Sequence, residues 1–283
     1  MRKQVESKNK KSPNLISAYR TESSEVFSRP VNSKPPIVNQ RKSQPLPQKP
    51  NKILRRRIKR NSKSESSYAK VKILQVGYSK WKGYATQCAC GSITLVISES
   101  NLIEKAKRNI IIVDTGVPSF SKKLLDSLKK EKISPQEVSY VISTHSDIDH
   151  IGNLNLFPEA IFIAGSDIIK KDVFIDFFEK RYTVDENVKI IATPGHDSKS
   201  ISVIAKTEQG IVAIVGDLFE KERDWKEEGT WEPWSQDPVS QMKNRSQIWK
   251  IADYIIPGHG NIFKVDKTVD IQSLDKNRIE KNK

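Results

Sequence analysis

Four histidines occur in the 283 residues, and each lies just past a short run of β-branched and aliphatic residues. His145 and His150 follow residues 138–142, His196 follows 188–191, and His259 follows 254–256. Two carboxylates are placed in the same way: Asp217 follows 211–215, and Asp114, in D-T-G, follows 110–113. Histidines placed by core packing would scatter. If the ends of those runs lie along one edge of layered sheets, imidazoles and carboxylates converge on one point, and that donor set suits borderline divalent metals. The densest piece is T-H-S-D-I-D-H at 144–150, where His145, Asp147, Asp149 and His150 are close enough to supply two adjacent ions. Glycines at 152, 195, 216, 258 and 260 let the backbone turn sharply beside these residues. A pair of ions about 3.5–4 Å apart would share a water, lower its pKa to near 7 and polarise the electrophile, so the nucleophile would be a metal-bound hydroxide rather than a Ser or Cys. Asp149, besides binding its metal, would hold that hydroxide in line. Asp114 is expected to orient a ligand from behind.

The positioning elements are legible in outline. Short apolar runs at 71–76, 93–97, 110–113, 138–142, 161–164, 188–191, 201–205, 211–215 and 254–256 read as strands buried in a layered fold. Phe120, Leu124, Leu125 and Leu128 share one helix face. Asp237-Pro238 starts another helix, with Val239, Met242 and Trp249 expected inward. Ser134-Pro135-Gln136-Glu137 is a capping-box sequence expected to form a short turn before the strand at Val138. No repeat of 20 to 50 residues is present, which excludes a solenoid.

The net charge of +15 is unevenly distributed. Residues 1–67 hold 18 of the 49 Lys+Arg and 4 of the 34 Asp+Glu, which leaves 31 basic and 30 acidic residues, net +1, for 68–283. The same segment has 7 of the 14 prolines but, of the aromatics, only Tyr19 and Phe27. It is expected to be a disordered basic extension, because it cannot bury enough apolar area to offset its ordering entropy. Within it, K-I-L-R-R-R-I-K-R at 52–60 reads as a nuclear address or a phosphate-binding arm. Residues 68–283 are expected to form one domain, with about the last 15 as a loose tail. No apolar stretch approaches 18 residues, so no membrane span is expected. Two cysteines, Cys88 and Cys90, make no disulfide framework and favour an intracellular, cytosolic place, with the nucleus as the alternative.

The signature set T-H-S-D-I-D-H, T-P-G-H ending at His196, G-D at Asp217 and P-G-H-G around His259 resembles that of the metallo-β-lactamase superfamily, and the match runs from about residue 70 to about 266. The resemblance implies a four-layer αβ/βα metallo-β-lactamase fold of the α/β class. It implies one metal held by His145, residue 147 and His196, a second by Asp149, His150 and His259, and Asp217 as the catalytic bridge. The chain departs from the pattern at Asp147, where the family has His. Up to two Zn2+ are expected, and the harder ligand set raises the case for Fe or Mn at the site containing Asp147. One branch is matched beyond the metal residues, through H-I-G-N-L-N-L-F-P, G-D-L-F-E and A-D-Y-I-I-P-G-H-G-N-I-F-K-V. That likeness implies an endoribonuclease acting near the 3′ end of histone pre-mRNA, with RNA as the partner.

Two other functions stay open. A glyoxalase II-like thioester hydrolase suits a compact, near-neutral body, and a non-catalytic binding protein would follow if Asp147 had broken the metal pair. The 42 residues from Asp217 to His259 are too few for the extra domain usual in RNA-processing relatives, and the 21 from His196 to Asp217 leave no room for a tRNA-gripping arm. Substrate choice is expected from residues 224–234, which hold three of the five tryptophans. Their indoles would stack on bases, cover an acyl chain, pack the loop down or form a homodimer contact.

Overall fold

In the computed structural model, described for residues 68–100, 107–176, 181–227 and 229–281, the β-branched runs form the centre of a layered sandwich. The described residues fall within the compact unit Ser62–Lys283; the basic extension and its 52–60 cluster lie outside them. The strands are β1 (Lys70–Gln75), β2 (Tyr78–Trp81), β3 (Gln87–Cys90), β4 (Ile93–Ser100), β5 (Lys107–Val113), β6 (Tyr140–Ser143), β7 (Ile161–Ala164), β8 (Asp167–Lys170), β9 (Val173–Asp176), β10 (Arg181–Thr183), β11 (Val188–Ala192), β12 (Ile201–Thr207), β13 (Gly210–Gly216), β14 (Tyr254–Pro257) and β15 (Phe263–Lys264). The helices are α1 (Ser121–Lys130), α2 (Ile148–Ile151), α3 (Pro238–Ile251) and α4 (Ile271–Lys281).

One sheet runs β1-β4-β5-β6-β7-β8-β9 and the other β10-β11-β12-β13-β14-β15, while β2 and β3 form a separate hairpin. Both sheets are mixed: β5, β6 and β7 are mutually parallel, as are β13 and β14. Alternate residues of the same strands serve different layers. Val96, Ile111, Val113 and Ile142 face Val203, Val212, Ile214 and Ile256 between the sheets. Ile110, Ile112 and Val141 pack outward with Leu124 and Leu128 of α1, and Ala213, Val215 and Ile255 pack outward with Ile248 and Trp249 of α3. Burial on both faces explains the unbroken apolar runs and gives the expected αβ/βα layering.

Several local expectations change. Val138 is buried but lies in the turn before β6, where the Ser134 N–H donates to Glu137 Oε2 at 2.8 Å. The strands missed by the sequence reading, β2, β3, β8, β9, β10 and β15, are short, and all six lie at or next to a sheet edge, where no continuous apolar run is needed. Asp237 does cap α3, accepting from the Ser240 N–H at 3.0 Å, but Val239 is exposed rather than inward. The helix instead buries Gln241, Asn244, Arg245 and Ser246 beside Ile248 and Trp249, because partners for those polar groups come from elsewhere in the fold. One of them is Asp275 of α4, fully buried and accepting from Arg245 Nε at 2.8 Å. The C-terminal residues expected to be a loose tail are therefore largely a helix docked by an ion pair and by buried Ile271. Among the described residues, no helix is long and apolar enough to cross a membrane.

Candidate metal centre

The parallel strands β5 and β6, together with β11, β13 and β14, deliver their following residues to one place. His145, Asp147, His196 and Asp217 form one group, and Asp149, His150 and His259 a second, with the donor atoms in each group within 4.8 Å of one another. All seven candidate ligands are thus brought together. His145 Nε2 and His196 Nε2 lie 3.5 and 3.4 Å from Asp147 Oδ2, and each lies 3.7 Å from Asp217 Oδ2. On the other side, His150 Nε2 is 3.2 Å from Asp217 Oδ1 and His259 Nε2 is 3.1 Å from Asp217 Oδ2. Asp149 Oδ2 is 4.0 Å from His150 Nε2 and 3.8 Å from His259 Nε2. Asp147 stands where the related pattern has an imidazole, and its side chain is 56% exposed, so the first group opens to solvent while the second is enclosed.

The donor set fits divalent cations. His145 Nε2, His150 Nε2, Asp149 Oδ2 and Asp217 Oδ1 are buried and have no hydrogen-bond partner. An unsatisfied buried polar atom costs about 1–3 kcal/mol, so four of them converging is a costly arrangement unless a cation accepts their lone pairs. Without an ion, protons take its place. Burial works against charge on His259, yet the Asp217 carboxylate raises its pKa to about 9. Burial likewise opposes the imidazolium of His150, but Asp217 and Asp114 hold its pKa well above the usual value. Asp217 resists burial through His259, His150 and His145 and stays well below the ordinary carboxylate range. Hydrogen bonds from His145 and His196 depress Asp147 strongly.

Behind the ligands, Asp114 takes the expected orienting position. Its backbone is left-handed, with φ 58°, a conformation that Asp tolerates better than most residues. Its Oδ1 accepts the Thr144 N–H at 2.7 Å, while Oδ2 accepts the Thr144 hydroxyl at 2.7 Å and faces His150 Nδ1 at 2.8 Å. A carboxylate only accepts, so it keeps the His150 proton on Nδ1 and leaves Nε2 as a lone-pair donor. In Asp114→Asn, the amide oxygen satisfies Thr144 and its NH2 meets Nδ1, which forces the proton onto Nε2. Affinity for Zn2+ is expected to fall about 10–100-fold in a chelator competition, and wild-type affinity would rule this role out.

Other contacts seal the centre. The Gly91 N–H donates to the Asp149 carbonyl at 3.0 Å, and a Cβ on Gly91 would lie 2.6 Å from His150. A Cβ on Gly258 would meet Asp217 Oδ1 at 1.8 Å, so only glycine allows the chain leading to His259 to pass that carboxylate. His259 Nδ1 lies 3.3 Å from the Cys90 carbonyl, which ties the β2–β3 hairpin to the centre. The 224–234 loop divides its indoles: Trp231 is buried, Trp225 packs edge-on against Trp249, and Trp234 stacks on Trp81 of the hairpin with centroids 6.2 Å apart. Neither Trp81 nor Glu220 was singled out by the sequence reading. Trp81 lies outside the tryptophan-rich segment, and Glu220 does not end a β-branched run but follows the apolar Leu218 and Phe219 in G-D-L-F-E.

The profile of the Metallo-beta-lactamase superfamily matches residues 93–166. The Xenopus laevis protein named Metallo-beta-lactamase domain-containing protein 1 is 38% identical over 203 residues, covering 70% of this chain and 82% of the relative. The Homo sapiens protein of the same name is 32% identical over 230 residues, covering 70% and 82%. A crystal structure from Thermotoga maritima, assigned provisionally to the metallo-beta-lactamases, shares the fold with a TM-score of 0.53, at 22% identity and covering 70% of this chain and 99% of that one. With that sequence kinship and seven converging donors on this fold, the chain belongs to the metallo-beta-lactamase superfamily of metal-dependent hydrolases.

Proposed function

We propose that the protein is a two-metal hydrolase that cleaves phosphodiester bonds in single-stranded RNA. Histone pre-mRNA near its 3′ end, the class implied by the sequence resemblance, is the substrate to try first. The observation that carries the RNA reading is the Trp81–Trp234 stack. Both rings remain about half exposed, at 57% and 48%, although they touch each other. One ring stands on the hairpin tied to His259 through Cys90. The other lies in the loop tied to His196, where the Gln236 N–H donates to the His196 carbonyl at 3.2 Å. Exposed indoles on two segments that are each tied to a metal-centre histidine suit unstacked bases, each worth about 1–3 kcal/mol.

In this reading, His145, Asp147 and His196 would hold one divalent ion, Asp149, His150 and His259 would hold the other, and Asp217, which contacts imidazoles of both groups, would serve both. Zn2+ is the proposed metal, with Fe or Mn as the alternative beside Asp147, where two imidazoles meet a carboxylate. When bound, the ions supply Lewis acidity and an acidified water. Asp149 orients the attacking water by accepting its hydrogen bond, Asp114 fixes the His150 ring, and the indoles hold the strand so that one phosphate faces the centre.

A second reading, a thioester hydrolase, is favoured by the charge balance: residues 68–283 carry net +1 and so offer little general attraction for phosphates. The full-length protein should be assayed on a histone pre-mRNA 3′ fragment and on an S-acyl glutathione, alongside Trp81→Ala. RNA cleavage that drops at least about tenfold in the variant supports the first reading. Thioester turnover without RNA cleavage replaces it with the second, and failure to retain any divalent ion leaves only a non-catalytic binding protein.

A further inference from the structure

Glu220 lies beside the metal centre but belongs to neither of the two donor groups. It is 9% exposed, and its carboxylate lies with donor atoms of Asp217 and His259 inside a mutual distance of 4.8 Å. The backbone on both sides holds it there. Its N–H donates to Asp224 Oδ2 at 2.7 Å, its carbonyl accepts the His259 N–H at 2.7 Å, and the preceding Leu218 and Phe219 are buried in the outer core. The side chain is therefore positioned before any ligand arrives.

The position is electrostatically expensive for a carboxylate. Asp217 and His259 both lie within 4.8 Å of it, and Arg245, which pairs with the Asp224 that holds the Glu220 backbone, is committed to Asp224 and Asp275. Among the described residues no lysine or arginine pairs with Glu220. Meanwhile Asp217 Oδ1, nine-tenths buried, has no hydrogen-bond partner. Two adjacent buried carboxylates that share the His259 imidazole form a donor set that a divalent cation would satisfy.

Resting on the two-metal reading above, we propose that Glu220 is a further ligand of the metal centre, binding a divalent cation together with Asp217 and His259. Ligand atoms on one such ion sit about 2.0–2.2 Å from it, so donors within 4.8 Å of one another need only a small side-chain adjustment to share it. The ion on this side would then be bound by more carboxylate oxygen than the usual donor set provides, favouring harder divalent metals over a purely imidazole-rich site.

The test is Zn2+ binding alone, measured on full-length protein by competition with a chromophoric chelator, comparing wild type with Glu220→Gln. Glutamine keeps the shape and the hydrogen bonds of a buried neutral acid but removes the anionic ligand. One of the two ions should bind at least about tenfold more weakly, with the other unchanged. Equal affinities in the two proteins overturn the proposal, because a neutral structural acid is replaced by glutamine without effect. If Glu220→Gln does not fold, Glu220→Asp serves: it keeps the charge but withdraws it by one methylene, and wild-type affinity there overturns the proposal as well. A wild type that binds no Zn2+ overturns the two-metal reading itself, and this inference with it.

Discussion

Asp217→Asn should fold normally, lose at least one of its two ions, and hydrolyse substrate more than about a hundredfold slower than wild type. Loss of an outer hydrogen-bonding partner typically costs about 10–100-fold, and Asp217 is a direct contact to both halves of the site. Its two oxygens reach all four imidazoles: 3.2 Å to His150 Nε2 and 3.1 Å to His259 Nε2 on one side, 3.7 Å to His145 and His196 Nε2 on the other. No other candidate ligand reaches both groups in this way. An amide is neutral, and its NH2 can only donate, so one face of the centre would meet a hydrogen where it needs a lone pair. Metal analysis by mass spectrometry on purified protein, with circular dichroism to check folding, decides the matter. Two ions retained at wild-type affinity would remove Asp217 from its bridging position.

The second large effect is on stability. Arg245→Ala should cost about 3–5 kcal/mol, seen as a lowered urea midpoint, because it leaves buried carboxylates without their cation. Arg245 is fully buried in α3, with Nη1 3.0 Å from Asp224 Oδ2 and Nε 2.8 Å from Asp275 Oδ2. Its Nη1 also donates to the Leu218 carbonyl at 3.0 Å, and the guanidinium lies over Phe219 and Trp231, 4.1 and 4.6 Å from the ring centroids. The residue ties α4 and the loop after Asp217 to α3, and Asp224 in turn holds the Glu220 backbone. Lysine, a point charge without the planar fork, should recover only part of the loss. A midpoint within experimental error of wild type would show that the network relaxes without it.

These two residues differ in how far the sequence reveals them. Asp217 is legible because a glycine and a carboxylate end a β-branched run, and the same arrangement recurs at His145, His196 and His259. Arg245 looks like an ordinary solvent-facing residue of an amphipathic helix, and that logic placed Val239 inward instead. The burial of a polar helix face depends on Asp224 and Asp275, 21 and 30 residues away, and local periodicity carries no trace of such partners. The docking of the C-terminal helix was missed for the same reason.

The central strands could be read because burial on both faces demands continuous aliphatic runs, whereas the short strands β8, β9, β10 and β15 and the β2–β3 hairpin are less buried and show no such pattern. Residue chemistry and spacing along the chain were enough to name the seven candidate donors that the fold brings together, because several sit within one loop and the rest end recognisable strands. Only the packed fold decided that Asp114 reaches His150, that Trp81 meets Trp234, and that Glu220 lies beside Asp217 and His259. Each of those pairings joins segments distant in the chain: the parallel alignment of β5 with β6 sets Asp114 beside His150, that of β13 with β14 sets the Asp217–Glu220 segment beside His259, and the Trp81 hairpin meets the loop that carries Trp234. Side-chain identity shows what a residue can do; which neighbours it does it with is set by packing.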